Sequence, residues 1–295
     1  YPEATLPPPT APATGAAAPV GTDVGVAVGQ GNLGTEAAAA RRVTLSAALA
    51  SPDRVAIDTP RLAGSINLVG ARIDDLVLKN YRQTVKKGSG PVRLFAPEGT
   101  PQQYFAEFGF VSGGQRLSSS ERWQADGKVL APGKPVTLTR TDAAGVTYRI
   151  RFSVDRDYLL TATQSIANGS AAPAIVQPFA LIKRTSRFAT PDEFVAHAGP
   201  VGVFGGTLWD PHSYAELAEI GEETPEGTPA WLGFTDRYWL AALIPGDGKA
   251  KPPIGTAGFR PLGGDLFRSD LVYGATTIPV GGAAAQTTRL YAGAK

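Results

Sequence analysis

From Ser51 to Lys295 the sequence consists of short extended runs cut off by turn residues, and that rhythm limits the folds open to it. Arg54–Asp58 and Leu62–Leu68 alternate around Thr59-Pro60. Ile73–Tyr81 sets Leu76 and Leu78 on one face against Asp75, Val77 and Lys79 on the other. Further strands are predicted at Val92–Phe95, Tyr104–Val111, Val136–Arg140, Thr147–Val154, Leu159–Ile166 and Ala174–Arg184. Trp231–Phe234, Tyr238–Ile244, Thr256–Phe259, Leu266–Tyr273, Thr276–Val280 and Gln286–Tyr291 bring the set to about fifteen. Asp142-Ala143-Ala144-Gly145 reads as a tight hairpin loop in which Gly145 supplies a positive φ. Helical signals are confined to Ser213–Ile220 and to Thr100-Pro101 onward, where the aromatic density of Tyr104–Phe110 supports a strand equally. The pattern predicts an all-β sandwich of two large antiparallel sheets. No internal repeat points to a propeller, and no Pro/Ser-rich linker divides Ser51–Lys295, so one domain is expected.

Ala230–Pro245 is the landmark within that run. Trp231–Phe234 and Tyr238–Ile244 flank Thr235-Asp236-Arg237, and Pro245-Gly246-Asp247-Gly248 ends the second segment. Two buried strands joined by a turn fit best, with an amphipathic helix over Asp236–Ile244 as the rival, and Asp236 and Arg237 read as turn residues.

Of the 295 residues, 43% are apolar and 18% charged, as a folded core with a modestly charged surface requires. The 28 basic and 26 acidic side chains give a net charge of +2, and no Lys/Arg cluster marks a nucleic-acid-binding element. Cysteine is absent, which excludes disulfides, thiolate metal sites and a cysteine nucleophile. Methionine is absent too, so a segment before Tyr1 is expected to have been removed. No run approaches the roughly 20 apolar residues of a membrane span.

Residues 1–50 differ in composition. Pro2, Pro7, Pro8, Pro9, Pro12 and Pro19 stand among Ala, Thr and Gly, which predicts a flexible tether, with order beginning within Arg41–Leu49. The tether contains Gly29-Gln30-Gly31-Asn32-Leu33-Gly34, a match to the dinucleotide-binding pattern G-x-G-x-x-G, with Asp53 downstream. Gly25 weakens the preceding strand, Thr35–Arg42 is barely two helical turns, and no alternating β-α pattern follows. The motif is therefore read as a coincidence, and no cofactor is predicted.

The chemically capable residues form no set by spacing. His197 and His212 lie in Gly/Pro-punctuated sequence near Asp192, Glu193 and Asp210, with no third metal ligand. Asp74-Asp75 and Glu222-Glu223 are adjacent pairs, which on a strand point to opposite faces, so neither makes an acid/base pair alone. Ser118-Ser119-Ser120 lacks a nucleophile elbow, and Asn168-Gly169-Ser170 reads as a hairpin turn rather than a glycosylation acceptor. Trp123, Trp209, Trp231 and Trp239, with Tyr104, Tyr214 and Tyr238, could stack on sugars, but core packing is the simpler reading. Trp209 and Tyr214 are the better candidates for exposed contacts. No catalytic, cofactor-binding or metal-binding residue is predicted.

Several motifs in order carry a resemblance. Asp58-Thr59-Pro60, Leu62-Ala63-Gly64-Ser65-Ile66 and Gly70-Ala71-Arg72-Ile73-Asp74-Asp75-Leu76 resemble the start of the periplasmic domain of the YidC membrane protein insertases of alphaproteobacteria. Gly99-Thr100-Pro101, Tyr104–Phe110, Thr141–Gly145, Phe204-Gly205-Gly206 and Trp231–Pro245 continue it, so that it covers about Arg41–Lys295. The resemblance implies an all-β, large antiparallel β-supersandwich similar to galactose mutarotase, with short helical additions. It implies a non-enzymatic periplasmic domain of a bacterial inner-membrane protein that assists insertion and folding of membrane proteins. Its membrane-embedded part lies outside this chain. The implied partners are SecDF and the SecYEG translocon, with substrate membrane proteins met through the membrane part and the isolated domain monomeric. Contact with SecDF is implied roughly over Leu181–Pro229, where Phe188, Phe194, Phe204, Trp209 and Tyr214 are the candidate partner-binding residues and a sheet-edge contact is expected. The alternative is a carbohydrate-binding or aldose-epimerase-like enzyme on the same fold, which would need a glutamate base and a histidine acid converging on a sugar ring.

Overall fold

The computed structural model describes Leu33 and residues 43–117, 119–188, 197–249 and 252–295. A five-residue helix, α1 (Leu45–Leu49), is capped by the Thr44 hydroxyl, which accepts from the Ala47 amide. The strands that follow are β1 (Arg54–Asp58), β2 (Leu62–Asn67), β3 (Arg72–Arg82), β4 (Pro91–Phe95), β5 (Tyr104–Ser112), β6 (Gln115–Arg116), β7 (Gln124–Ala125) and β8 (Val129–Leu130). Next come β9 (Val136–Thr141), β10 (Val146–Val154), β11 (Leu159–Asn168), β12 (Ala174–Thr185), β13 (Gly199–Phe204) and β14 (Thr207–Trp209). Helix α2 (Tyr214–Ile220) precedes β15 (Pro229–Thr235), β16 (Trp239–Pro245), β17 (Ile254–Gly263), β18 (Leu266–Tyr273), β19 (Thr276–Ile278) and β20 (Ala283–Ala294).

These strands form two sheets. One has 11 strands, in the order β17-β18-β12-β5-β3-β2-β1-β8, with β19 on β12, β4 on β3 and β6 on β5. The other has nine, in the order β14-β13-β15-β16-β20-β11-β10-β9-β7. Pairing is antiparallel throughout except where β8 lies parallel to β1. The sheets face each other across one core: Phe108 of β5 meets Phe152 of β10 at 5.5 Å between ring centroids, and Phe110 meets Tyr148 at 5.1 Å. The all-β sandwich expected from the sequence is the fold observed.

Local chemistry fixes the elements. In β10, Val146, Tyr148, Ile150, Phe152 and Val154 are buried and alternate with Thr147, Arg149, Arg151 and Ser153. The β9–β10 loop is the expected tight turn, with Gly145 at φ 94° and the Asp142 carboxylate accepting from the amides of Ala144 and Val146. Helix α2 starts at a capping box between Ser213 and Glu216 and stops at Gly221, whose φ is 91°. Tyr104–Ser112 is a strand, not a continuation of a helix from Thr100.

Sequence reading missed β13 together with the two- and three-residue strands β6, β7, β8 and β14. The cause in β13 is instructive. Gly199, Pro200 and Gly202 look like turn residues, but Gly202 is there for packing: a Cβ would lie 2.6 Å from the Phe204 ring and 2.9 Å from the Trp231 carbonyl oxygen.

Candidate functional site

Residues 181–229, the expected partner segment, span the end of β12, the two short strands β13 and β14, helix α2 and the loop to β15. Its aromatic residues divide sharply. Phe204 and Tyr214 are buried, at 4% and 9% exposure, and Trp209 is half-buried. Trp209 stacks on Phe259 of β17 with ring centroids 4.8 Å apart and 6° between planes, and Phe204 meets both edge-on. Tyr214 packs on Phe234 and Phe267 at 5.9 and 4.8 Å. Core packing, the simpler reading of these aromatics, holds for Trp209 and Tyr214, and their candidacy as exposed contacts is not met: β14 and α2 fold back over the strands, so these rings gain more by leaving water than by lining a surface. Phe188 is 56% exposed, and Phe194 lies outside the described residues.

The two sheet edges nearest this segment are treated differently. Strand β17 ends the 11-stranded order, and its edge is covered where Glu223 exchanges both backbone hydrogen bonds with Phe259, 2.8 Å each. Strand β14 ends the nine-stranded order, and no described strand pairs with its outer edge. Leu208, in the middle of β14, is 55% exposed. An edge strand that pairs with no described strand and carries an exposed leucine is a template for a strand from another chain.

Behind the segment lies a charge that the sequence reading did not pair. Arg184, from the inner face of β12, bonds Asp236 at 3.0 Å and sits over the rings of Tyr104 and Tyr214 at 4.5 and 5.4 Å. Burial disfavours its charge, but Tyr214, Asp236 and Tyr104 outweigh it and raise its pKa. Burial likewise pushes the Tyr104 phenol up, against Arg184. Asp236 does stand in the β15–β16 turn, its amide donating to the Trp239 carbonyl at 2.8 Å, while its side chain turns inward as the counter-ion of Arg184.

A second charged group lies on the outer face of the 11-stranded sheet. Glu107 of β5 accepts from Arg72 at 3.0 Å and from Arg116 at 2.5 Å. Arg72 also bonds Glu98, which bonds Lys183 at 2.7 Å. Nearby, Asp270 of β18 accepts from Arg268 at 3.1 Å and is ion-paired with Arg260 at 2.7 Å, and Arg260 reaches Glu222 at 2.9 Å. Burial works against ionisation of Glu98, but Arg72 and then Lys183 prevail and hold its carboxyl below the usual range. The available signal was a charge inside an apolar run: Glu107 in Tyr104–Val111, Lys183-Arg184 in Ala174–Thr185, Arg268 and Asp270 in Leu266–Tyr273.

Asp192 and Glu193 lie outside the described residues, and among those residues no carboxylate hydrogen-bonds to either histidine. The His197 Nε2 lies 2.8 Å from the Pro200 carbonyl oxygen, and the His212 ring meets Trp209 edge-on. Asp74 pairs with Arg54, Asp75 with Arg93, and Glu222 with Arg260, as the structural reading of both carboxylate pairs expected. Asn168 is buried and donates to the carbonyls of Ala172 and Ile278. Of the glycine motif at 29–34, Leu33 alone lies within the described residues. Among those residues no group of three His, Cys, Asp or Glu is placed to hold a metal, and no helix is long and apolar enough to cross a membrane.

The architecture is that of the galactose mutarotase-like β-sandwiches. A galactose mutarotase related enzyme from Lactobacillus acidophilus superposes with a TM-score of 0.52 at 8% identity, over 81% of this chain and 97% of that one. A galactose mutarotase-like protein from Lactobacillus casei gives 0.52 at 12% identity, over 81% and 99%. At such identities the likeness shows the fold alone. The sequence is more specific: the family described as the YidC periplasmic domain matches residues 54–295, and the chain belongs to that family. Membrane protein insertase YidC of Nitrobacter hamburgensis is 39% identical over 258 residues, which is 86% of this chain and 42% of the relative. Its counterpart in Beijerinckia indica is 41% identical over 254 residues, 84% and 42% respectively. The chain thus spans less than half the length of these relatives. Its family is an insertase domain rather than an enzyme, and the domain is periplasmic.

Proposed function

We propose that this domain is a non-catalytic interaction module of a membrane protein insertase, which positions the insertase beside SecDF and SecYEG while the membrane-embedded part assists insertion and folding of inner-membrane proteins. Residues 51–295 act as one unit and residues 1–50 as its tether. The contact with SecDF falls in residues 181–229. The observation that carries this reading is the outer edge of β14, with which no described strand pairs and on which Leu208 is exposed, in a sandwich whose edge strand β17 is covered by Glu223. Phe188 adds a directly accessible ring, whereas Phe204, Trp209 and Tyr214 support the surface from beneath.

The test is capture of purified SecDF by the domain, comparing the native chain with Leu208→Lys and Phe188→Ala. A lysine on an edge strand discourages strand addition without burying a charge. Leu208→Lys is expected to lose most of the capture, and Phe188→Ala part of it, with thermal unfolding unchanged. Capture by Leu208→Lys equal to that of the native domain refutes the β14 edge as the contact.

A further inference from the structure

Leu33 belongs to the Pro/Ala/Gly-rich stretch that composition reads as a tether, yet it is 4% exposed. Its side chain lies among Phe105 and Val111 of β5, Phe179 and Leu181 of β12 and Val272 of β18, a cluster separate from the core between the sheets. Strand alternation explains the separation. Ala106, Phe108 and Phe110 face the sandwich core, so Phe105 and Val111 face away from it, and the same parity puts Phe179 and Leu181 opposite Ala180 and Ile182. The outer face of the sheet therefore carries an apolar socket, and one residue from far outside the sandwich fills it.

The polar rim of the socket is built for a peptide. One ion chain runs Lys183–Glu98–Arg72–Glu107–Arg116, and a second runs Arg268–Asp270–Arg260–Glu222. Arg116 belongs to the first and Arg268 to the second. Both guanidiniums donate to a single atom, the carbonyl oxygen of Leu33, at 3.1 and 3.4 Å. The carboxylates hold each guanidinium in place before any ligand arrives, and the Arg116 guanidinium also stacks over Phe179 at 5.1 Å. Side-chain socket and carbonyl clamp together recognise one residue of a polypeptide: a large aliphatic side chain beside a main-chain oxygen.

We propose that this socket is a peptide-binding site whose resident occupant is Leu33, so that the chain is pinned at that residue to the outer face of the 11-stranded sheet ahead of α1. The inference does not rest on the reading of residues 181–229 as a partner surface. Because Leu33 is joined to the domain through residues 34–42, its effective concentration at the socket is on the order of millimolar. A free peptide must match that to compete.

The experiment uses the full chain with methyl-labelled valine and leucine. Leu33→Lys puts an ammonium into the apolar socket beside two guanidiniums and empties it. The methyl resonances of Val111, Leu181 and Val272 are expected to shift, and amide exchange over residues 29–36 to rise at least about tenfold. A synthetic peptide with the sequence of residues 29–37, added to the Leu33→Lys chain at roughly millimolar concentration, is expected to return those resonances toward their native positions. The same peptide with alanine in place of leucine is expected to do so at least about tenfold more weakly. Arg116→Met provides the second variant: it leaves Leu33 and the apolar socket intact, and amide exchange over 29–36 is expected to rise through loss of the carbonyl clamp. Unchanged methyl resonances and exchange in Leu33→Lys overturn the proposal, as does a leucine peptide that moves nothing or no more than its alanine counterpart.

Discussion

On β10 of the nine-stranded sheet, Arg149 and Arg151 point away from the sandwich core and are exposed. On β5 and β12 of the 11-stranded sheet, Phe105, Glu107, Phe179 and Lys183 also point away from the core, yet all four are buried. The strands of both regions alternate with period two, and both inner faces are apolar. What differs is the fate of the second face. Around β10 it is left to water, and charges there need no partner. At the centre of the larger sheet it is withdrawn from water, so each charge must be met by another: Glu107 by two arginines, Asp270 by two more. A charged residue in a strand is thus a surface marker in one sheet and part of an interior in the other.

Mutations at matched positions sharpen that contrast. The largest effect is expected for Glu107→Ala, which strands Arg72 and Arg116 in a buried site and is expected to cost about 3–5 kcal/mol in urea unfolding. Glu107→Gln keeps an acceptor for one guanidinium, and its cost is expected near 1–3 kcal/mol. On the other sheet, Thr163→Ala removes a cross-strand contact to Thr287 at 3.3 Å and is expected to cost no more than about 1 kcal/mol. Arg149→Ala is expected to change stability by less than about 0.5 kcal/mol. Equal costs for Glu107→Ala and Arg149→Ala would break the comparison outright.

Acid gives an independent check. The Glu98 carboxyl titrates below its ordinary range in the folded chain because Arg72 and Lys183 outweigh its burial. A depressed folded-state pKa contributes stability above the unfolded value, about 4.3 for glutamate, and that contribution disappears as pH falls through the folded value. Stability of the native domain is therefore expected to fall more steeply below about pH 4.3 than that of Glu98→Gln, measured by urea unfolding across pH 3–6. Parallel pH profiles would remove Glu98 from the outer-face network.

The contrast also explains which parts of the site could be read in advance. The β9–β10 hairpin was legible because Asp142 and Gly145 encode its turn and the apolar residues of β10 encode its face. The landmark hairpin β15–β16 was legible as two strands about a turn, but its Asp236 was read only as a turn residue. Its partner, Arg184, is 52 positions earlier, and nothing local announces the pair. Trp209 and Tyr214 stood out as candidate contacts, with core packing the simpler reading, because irregular sequence around an aromatic residue looks like surface; here short elements close over the rings. Strand β13 was hidden by glycines that serve close approach rather than turning.

The sequence by itself determined the strand rhythm, the hairpin turns, the all-β sandwich and, through motifs kept in order, the family. Each of these depends on residues within a few positions of one another or on a pattern repeated along the chain. Only the tertiary structure decided that the outer face of the 11-stranded sheet is an interior, that no described strand pairs with the outer edge of β14 while Glu223 covers β17, and that Leu33 sits between two arginines. Burial and ion pairing depend on which distant strands become neighbours and on what covers them. Period-two alternation tells a side chain which way to point, but not whether it will meet water there.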